Sequence, residues 1–180
     1  MLSADPSPNR HESRSRVELD EEELVRRAQL GSAAAFEQLV AARGPQLYRY
    51  LAVRLGNESD ARDALQETLA AAWQGLPSLR SRSRFWSWLV GIAAHKAADV
   101  ARGRALPTDR QPDAHIAGDD TAVEVREALA RLPDHFRQVL LLRYLLHLSE
   151  EEVATALGIR VGTVKSRSAR ARKALEELLR

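Results

Sequence analysis

The sequence predicts an all-α protein made of two small helical domains joined by a flexible linker. No segment of the 180 residues sustains the apolar/polar alternation of a half-buried strand, and apolar residues instead recur three and four positions apart. Between two such groups of segments, residues 104–120 (RALPTDRQPDAHIAGDD) hold two Pro, one Gly and few apolar side chains, the composition of a linker that lets its neighbours move independently.

Hydrophobic residues at 44% support packed cores and charged residues at 29% mark a water-facing surface. The formal charge of +2 conceals basic clusters at 80–104 and 160–173, offset by acidic runs at Asp20–Glu23 and Glu150–Glu152. Arg outnumbers Lys by 24 to 3, a bias that suits phosphate recognition and that a GC-rich genome explains equally. With no cysteine, disulfides, thiolate metal sites and cysteine nucleophiles are excluded. No apolar run approaches the ~18 residues of a membrane span, and the N-terminus has no apolar signal core, so the expectation is a cytoplasmic chain without membrane insertion.

In chain order, residues 1–19 mix Pro, Ser, Asn and charge with almost nothing to bury and are expected to form a disordered tail. Helical signals begin at Asp20: DEEELVRRAQL carries acids in its first turn and stops at Gly31. Ser32 caps a second helix with Phe36, Leu39 and Val40 as its stripe. Gly44-Pro45 is expected to end that helix and start a third, closed by Gly56-Asn57. Residues 58–76 follow, with Ala61, Leu65, Leu69, Ala72 and Trp73 on the expected buried side and Asp63, Gln66, Glu67 and Gln74 on one polar face. Such an acidic and amide stripe is either a docking surface or plain solvent exposure.

Residues 78–104 alternate Ser and Arg before three aromatics in four residues. The helix is expected to bury Trp86, Leu89, Val90, Ala93, Ala97 and Val100, leaving Arg84, Ser87, Trp88, His95 and Arg102 opposite. An indole on a basic face suits base stacking beside phosphate contacts, or else packs on a neighbouring helix. His95 has no partner with which to hold a metal. Beyond the linker, TAVEVREALARL stops before Pro133 and DHFRQVLLLRYLLHL is apolar enough to be buried on most of its circumference.

The last stretch, residues 148–179, carries the sharpest signal, a helix-turn-helix. Ser149 and Glu152 form an S-x-x-E capping box, Val153, Ala154 and Leu157 are the buried side, and Gly158 supplies the turn. A helix from about Val161 places Val164, Ala171, Leu175, Leu178 and Leu179 on one side and Gly162, Ser166, Ala169, Arg170 and Lys173 on the other, flanked by Lys165, Arg167 and Arg172. Six basic residues and no acidic one lie between Arg160 and Lys173, as in a helix that enters a phosphate-walled groove. Lys165 and Arg170 have the reach for guanine edges, Ser166 for a base or phosphate, and the Ala169 methyl for a thymine. From the residues alone, three classes stay open: a protein that holds DNA at two places, a dimeric transcriptional regulator, and an interaction module whose basic helix is only solvated. No nucleophile, metal or phosphate-loop constellation supports an enzyme, and no cofactor is implied.

The ordered series DARDALQETLAAAW, SRFWSWLVGIAAHKAADVAR and LPDHFRQVLLLRYLLHLSEEEVATALGIRVGTVKSRSARARKAL resembles an extracytoplasmic function (ECF) sigma factor of the sigma-70 family, over about residues 20–179. The resemblance implies sigma domain 2 at 20–103, the linker at 104–120 and sigma domain 4 at 121–180. It implies that Asp63, Gln66 and Glu67, with Gln74 on the same stripe, bind the clamp helices of the RNA polymerase largest subunit, and that domain 4 meets the flap. Arg80, Arg82, Arg84, Trp88, His95, Lys96 and Arg102 become candidates for holding the minus-10 promoter element as single strand. Lys165, Ser166, Ala169 and Arg170, with Arg160, Thr163, Arg167 and Lys173 around them, become candidates for reading the minus-35 duplex. A separate anti-sigma factor is the further expected partner. The chain departs from the family pattern at Ser168, where Leu or Ile usually faces the core, at Arg160, where Ser or Pro is usual, and at Leu69, where an aromatic is common.

Overall fold

In the computed structural model, residues 21–103 and 120–180 are described; they are helical and contain no strand. The expected tail at 1–19 and, apart from Asp120, the expected linker at 104–120 lie outside the described residues.

Helix α1 occupies residues 21–29, α2 Ala33–Leu55 and α3 Glu58–Gly75. Two short 3₁₀ turns at Leu76–Ser78 and Arg82–Arg84 lead into α4, Phe85–Gly103. Then come α5 Asp120–Arg131, α6 Asp134–Leu140, α7 Glu150–Leu157 and α8 Val161–Leu178. Helices α2, α3 and α4 pack on one another, and α8 is embraced by α5, α6 and α7.

Three local expectations are corrected. Ser32 caps α2 as expected, its hydroxyl accepting from Ala35 N at 3.3 Å, but Gly44-Pro45 does not break the helix, which runs on to Leu55. A proline inside a helix costs about 3 kcal/mol. Leu39 on one side of it and Leu47 and Leu51 on the other are fully buried, each worth roughly 1.5–3 kcal/mol, so packing outweighs the break.

The buried stripe of α3 is Ala61, Ala64, Thr68 and Ala72 rather than the line through Leu65, Leu69 and Trp73. Small residues face α2 and α4, so the helices approach closely. Leu65 is pushed to the margin, and Trp73 stays 38% exposed with its ring 5.1 Å from that of Phe36. Thr68 is buried at no polar cost, because its hydroxyl donates to Ala64 O at 2.6 Å.

The apolar segment after Pro133 keeps α-geometry only to Leu140, and Leu141–Leu145 is wound as a π turn. His147, at φ 55°, then lets Leu148 N bond to Leu142 O at 3.1 Å, a helix stop of the left-handed kind with His in the place where Gly is usual. Leu140, Leu141, Leu142, Leu146 and Leu148 are all buried, as expected for a helix covered on most sides.

One apolar cluster runs without a gap from Val25 to Val164, joining α1–α4 to the segment from Val139 onward. The two groups of helices expected from the sequence also pack against each other in the structure. The reason is local: Gly91 on α4 lets the α7 backbone come so near that an added Cβ would sit 3.0 Å from Ala156 O.

Candidate nucleic-acid interface

The helix-turn-helix forms as its residues require. Ser149 Oγ accepts from Glu152 N at 3.1 Å and Glu152 Oε2 accepts from Ser149 N at 2.7 Å, a complete capping box at the start of α7. Gly158 turns the chain at φ 63°, and α8 begins at Val161 with Val164 and Ala171 fully buried. On its outer face Arg160, Lys165, Ser166, Ala169, Arg170 and Lys173 are exposed, while Thr163 and Arg167 are half-buried at the margin. Leu178 and Leu179, placed on the buried side by the wheel, are exposed instead because α8 outruns its partners; Ala174 and Leu175 are the last to pack.

Two of the exposed groups are held along the helix. Ser166 Oγ donates to Thr163 O at 3.1 Å. Arg170 Nε donates to Ser166 O at 3.3 Å with its guanidinium 5.8 Å from the Phe136 ring. Exchanging each hydrogen bond for one to a ligand is nearly neutral, since net values are about 1 kcal/mol. The 3.6 Å pair of Lys165 with Glu150 is exposed and weak, which leaves the lysine available.

The second basic region is the loop at 76–84 with the adjoining face of α4. Arg80, Arg82, Arg84, His95 and Arg102 are exposed, and Lys96 is half-buried. Ser87, expected on the outer face, is buried, because α7 covers that side; its hydroxyl donates to Arg84 O at 3.1 Å. Trp88 packs on a neighbouring helix, one of the two alternatives left open for it. Its ring packs against the end of α3, where a Cβ on Gly75 would meet it at 3.2 Å, and it is half-exposed at the wall of a cleft of about 440 Å³. That cleft is lined by Ser87, Trp88, Gly91, Ile92, His95 and Lys96 of α4 and by Thr155 and Ala156 of α7.

Asp63, Gln66, Glu67 and Gln74 all lie exposed on the outer face of α3. Glu67 is tied to the neighbouring surface, its Oε2 lying 3.1 Å from Lys96 Nζ. The acidic stripe and the α4 face therefore meet at one ion pair.

Two residues with no motif signal organise these surfaces. Arg54 has a side chain only 2% exposed. It donates from Nη1 to Tyr50 Oη at 2.8 Å and to Ala94 O at 3.0 Å, and from Nη2 to Asp134 Oδ2 at 3.2 Å, so a buried charge of α2 is satisfied in part from α6. Gln29, at the end of α1, hydrogen-bonds to the loop that carries Arg80, Arg82 and Arg84. Their long-range partners are invisible to local periodicity.

Comparison with known proteins agrees with this architecture. Residues 39–106 match Sigma-70 region 2, and residues 122–175 match Sigma-70, region 4. The chain is 35% identical over 170 residues to the ECF RNA polymerase sigma factor SigM of Mycobacterium tuberculosis, covering 91% of this chain and 87% of that one. It is 31% identical over 180 residues to the RNA polymerase sigma-H factor of Pseudomonas aeruginosa, covering 88% and 93%. Among solved structures, CnrH in complex with the cytosolic domain of CnrY superposes with a TM-score of 0.71 at 29% identity, covering 89% of this chain and 97% of that one. The sigma factor RpoE in complex with the anti-sigma factor NepR from Bartonella quintana gives 0.68 at 27% identity, covering 80% and 96%. With these likenesses, the helix-turn-helix coupled to helices bearing an acidic stripe and an arginine-rich loop is that of a transcription initiation factor that directs polymerase to promoters. The chain belongs to the sigma-70 family, as an ECF sigma factor.

Proposed function

We propose that this sigma factor docks on core RNA polymerase through the α3 stripe, reads the minus-35 element as duplex with α8, and holds the minus-10 element as single strand with the loop at 76–84 and the outer face of α4. Asp63, Gln66, Glu67 and Gln74 meet the clamp helices of the largest subunit, and the helix-turn-helix group meets the flap. Arg160, Thr163, Lys165, Ser166, Arg167, Ala169, Arg170 and Lys173 face the upstream duplex. Arg80, Arg82, Arg84, His95, Lys96 and Arg102 neutralise the backbone of the melted strand while Trp88 offers a stacking surface.

The work of opening follows from magnitudes. Unstacking a base costs a few kcal/mol, and each captured base returns roughly 1–3 kcal/mol through stacking and phosphate contact. A surface that holds displaced bases offsets part of the opening cost with no bond chemistry. The observation that carries this reading is the exposed run of Arg160, Lys165, Arg170 and Lys173, with no acidic residue among them, along the outer face of α8 in a helix-turn-helix whose first helix is capped. An anti-sigma factor is the expected regulator, in keeping with the partner of the similar RpoE.

The test is transcription in vitro with sigma-free core polymerase of the native host. Wild-type chain initiates at discrete promoters. Glu67→Arg lowers affinity for core about ten-fold or more, as reversed charge at a docking rim does. Lys165→Glu with Arg170→Glu leaves core binding intact and abolishes dependence on the minus-35 sequence. Tight duplex binding by a free dimer, with no response to polymerase, would establish an ordinary regulator instead.

A further inference from the structure

The loop at 76–84 is pinned at its start by the fully buried Leu76, and its own hydrogen bonds lie at its two ends. Leu79 N bonds to Leu76 O and Arg84 N to Ser81 O, both at 3.1 Å, Ser78 Oγ donates to Gly75 O at 2.6 Å and the Ser81 and Ser83 hydroxyls lie 3.0 Å apart, while residues 79–81 belong to neither 3₁₀ turn. A tie between the two ends comes from α1. Gln29 Nε2 donates to Leu76 O at 3.2 Å and to Leu79 O at 2.8 Å, while its Oε1 accepts from Arg82 Nε at 2.9 Å.

One carboxamide thus serves two backbone acceptors and one side-chain donor. Among side chains of this length, only an amide offers two N–H donors and an acceptor oxygen in a single plane. A carboxylate keeps the bond from Arg82 and loses both donations, and a thioether keeps none. The amide is itself well placed, because Val25 and Ala28 of α1 are buried in the core one turn or less before it. Arg82 hydrogen-bonds through Nε, its terminal amino groups have no hydrogen-bond partner among the described residues, and the counter-charge it feels from Glu23 is exposed and weak enough for phosphate to replace.

We propose that Gln29 is a positioning residue for promoter opening: it moors the strand-capturing loop to α1 and presents the Arg82 guanidinium toward the displaced strand. This rests on the function proposed above. Gln29 touches no DNA in this role and acts through Arg82 and the loop backbone.

The experiment uses full-length chain and core polymerase on a linear promoter, with open complex read by permanganate reactivity, core affinity by anisotropy, and loop mobility by amide hydrogen exchange of the free chain. Gln29→Met speeds exchange at Leu79 and Arg84, the hydrogen-bonded amides of the loop, leaves core affinity within about two-fold of wild type, and lowers open-complex formation about ten-fold, in line with the loss of two or three modest hydrogen bonds. Gln29→Glu, retaining the Arg82 contact, recovers part of that loss. Gln29→Met combined with Arg82→Ala costs less than the product of the two single effects, because both act on one element. Unchanged loop exchange, or fully multiplicative effects in the double variant, overturns the role of Gln29. If wild-type holoenzyme forms no open complex, the function and the role within it fall together, whereas a wild-type complex left intact by Gln29→Met overturns the positioning role alone.

Discussion

Ser168 is buried on the core side of α8, and its hydroxyl has no hydrogen-bond partner among the described residues. A buried hydroxyl without a partner costs about 1–3 kcal/mol, so Ser168→Ala is expected to raise stability by about 1 kcal/mol, seen as a higher urea midpoint with unchanged slope. Tyr50 makes the opposite case. Burial pushes its phenol above the ordinary value of 10.0, against a smaller opposing pull from the Arg54 guanidinium. A raised folded-state value means that this contribution is whole below pH ~10 and is lost as pH climbs toward the folded value, since only the unfolded chain then ionises. Tyr50→Phe is expected to lose about 1–3 kcal/mol at pH 7, where Arg54 forfeits an acceptor, yet to decline less steeply between pH 10 and 11. Unfolding curves across that range check it; equal slopes would clear Tyr50 of responsibility. At this scale the exposed cations of α8 are legible in the sequence because a helical wheel settles which side they share. Gln29 and Arg54 are not, because all partners of the first side chain and two of the three partners of the second lie 40 to 80 residues away.

Elements are legible where local chemistry decides and misread where tertiary packing does. The capping box, the Gly158 turn and the start of α8 at Val161 are all written in short-range residue choices, and the structure has them as expected. Nothing lies within 4 Å of a Cβ placed on Gly158, so Gly158→Ala isolates the backbone cost of φ 63°, about 1–2 kcal/mol, with no steric addition. Its expected signature is a lower melting temperature with faster exchange in α7 and no change in core affinity. The continuous α2 and the rotated face of α3 escape the sequence for a shared reason. Breaker residues and large side chains dominate a pattern reading, whereas close-packed small residues and fully buried leucines dominate the fold.

At the scale of the molecule, the division of the helices into two groups is visible in the composition of residues 104–120, but their mutual packing is not. Gly91 and Ala156 look like unremarked small residues until they are brought together, and the Arg54–Asp134 pair spans the same contact. Ala156 packs on the apolar cluster and lines the cleft, so Ala156→Arg places a long cation at the contact between α4 and α7. It is expected to separate the two groups, measured as a larger radius of gyration for the free chain by small-angle scattering. It should also tighten, several-fold, the affinity of the free chain for a minus-10 single strand as the cleft beside Trp88 opens; an unchanged radius would show that the groups stay joined without this contact.

The chain's three indoles are Trp73, Trp86 and Trp88, and none lies beyond residue 88. Only Trp88 lines the cleft roofed by α7. Lifting α7 would expose that ring to water and shift its emission to the red. The native protein therefore carries an optical gauge of its own opening, readable in real time as single-stranded DNA, which has no indole, is added, with no dye attached.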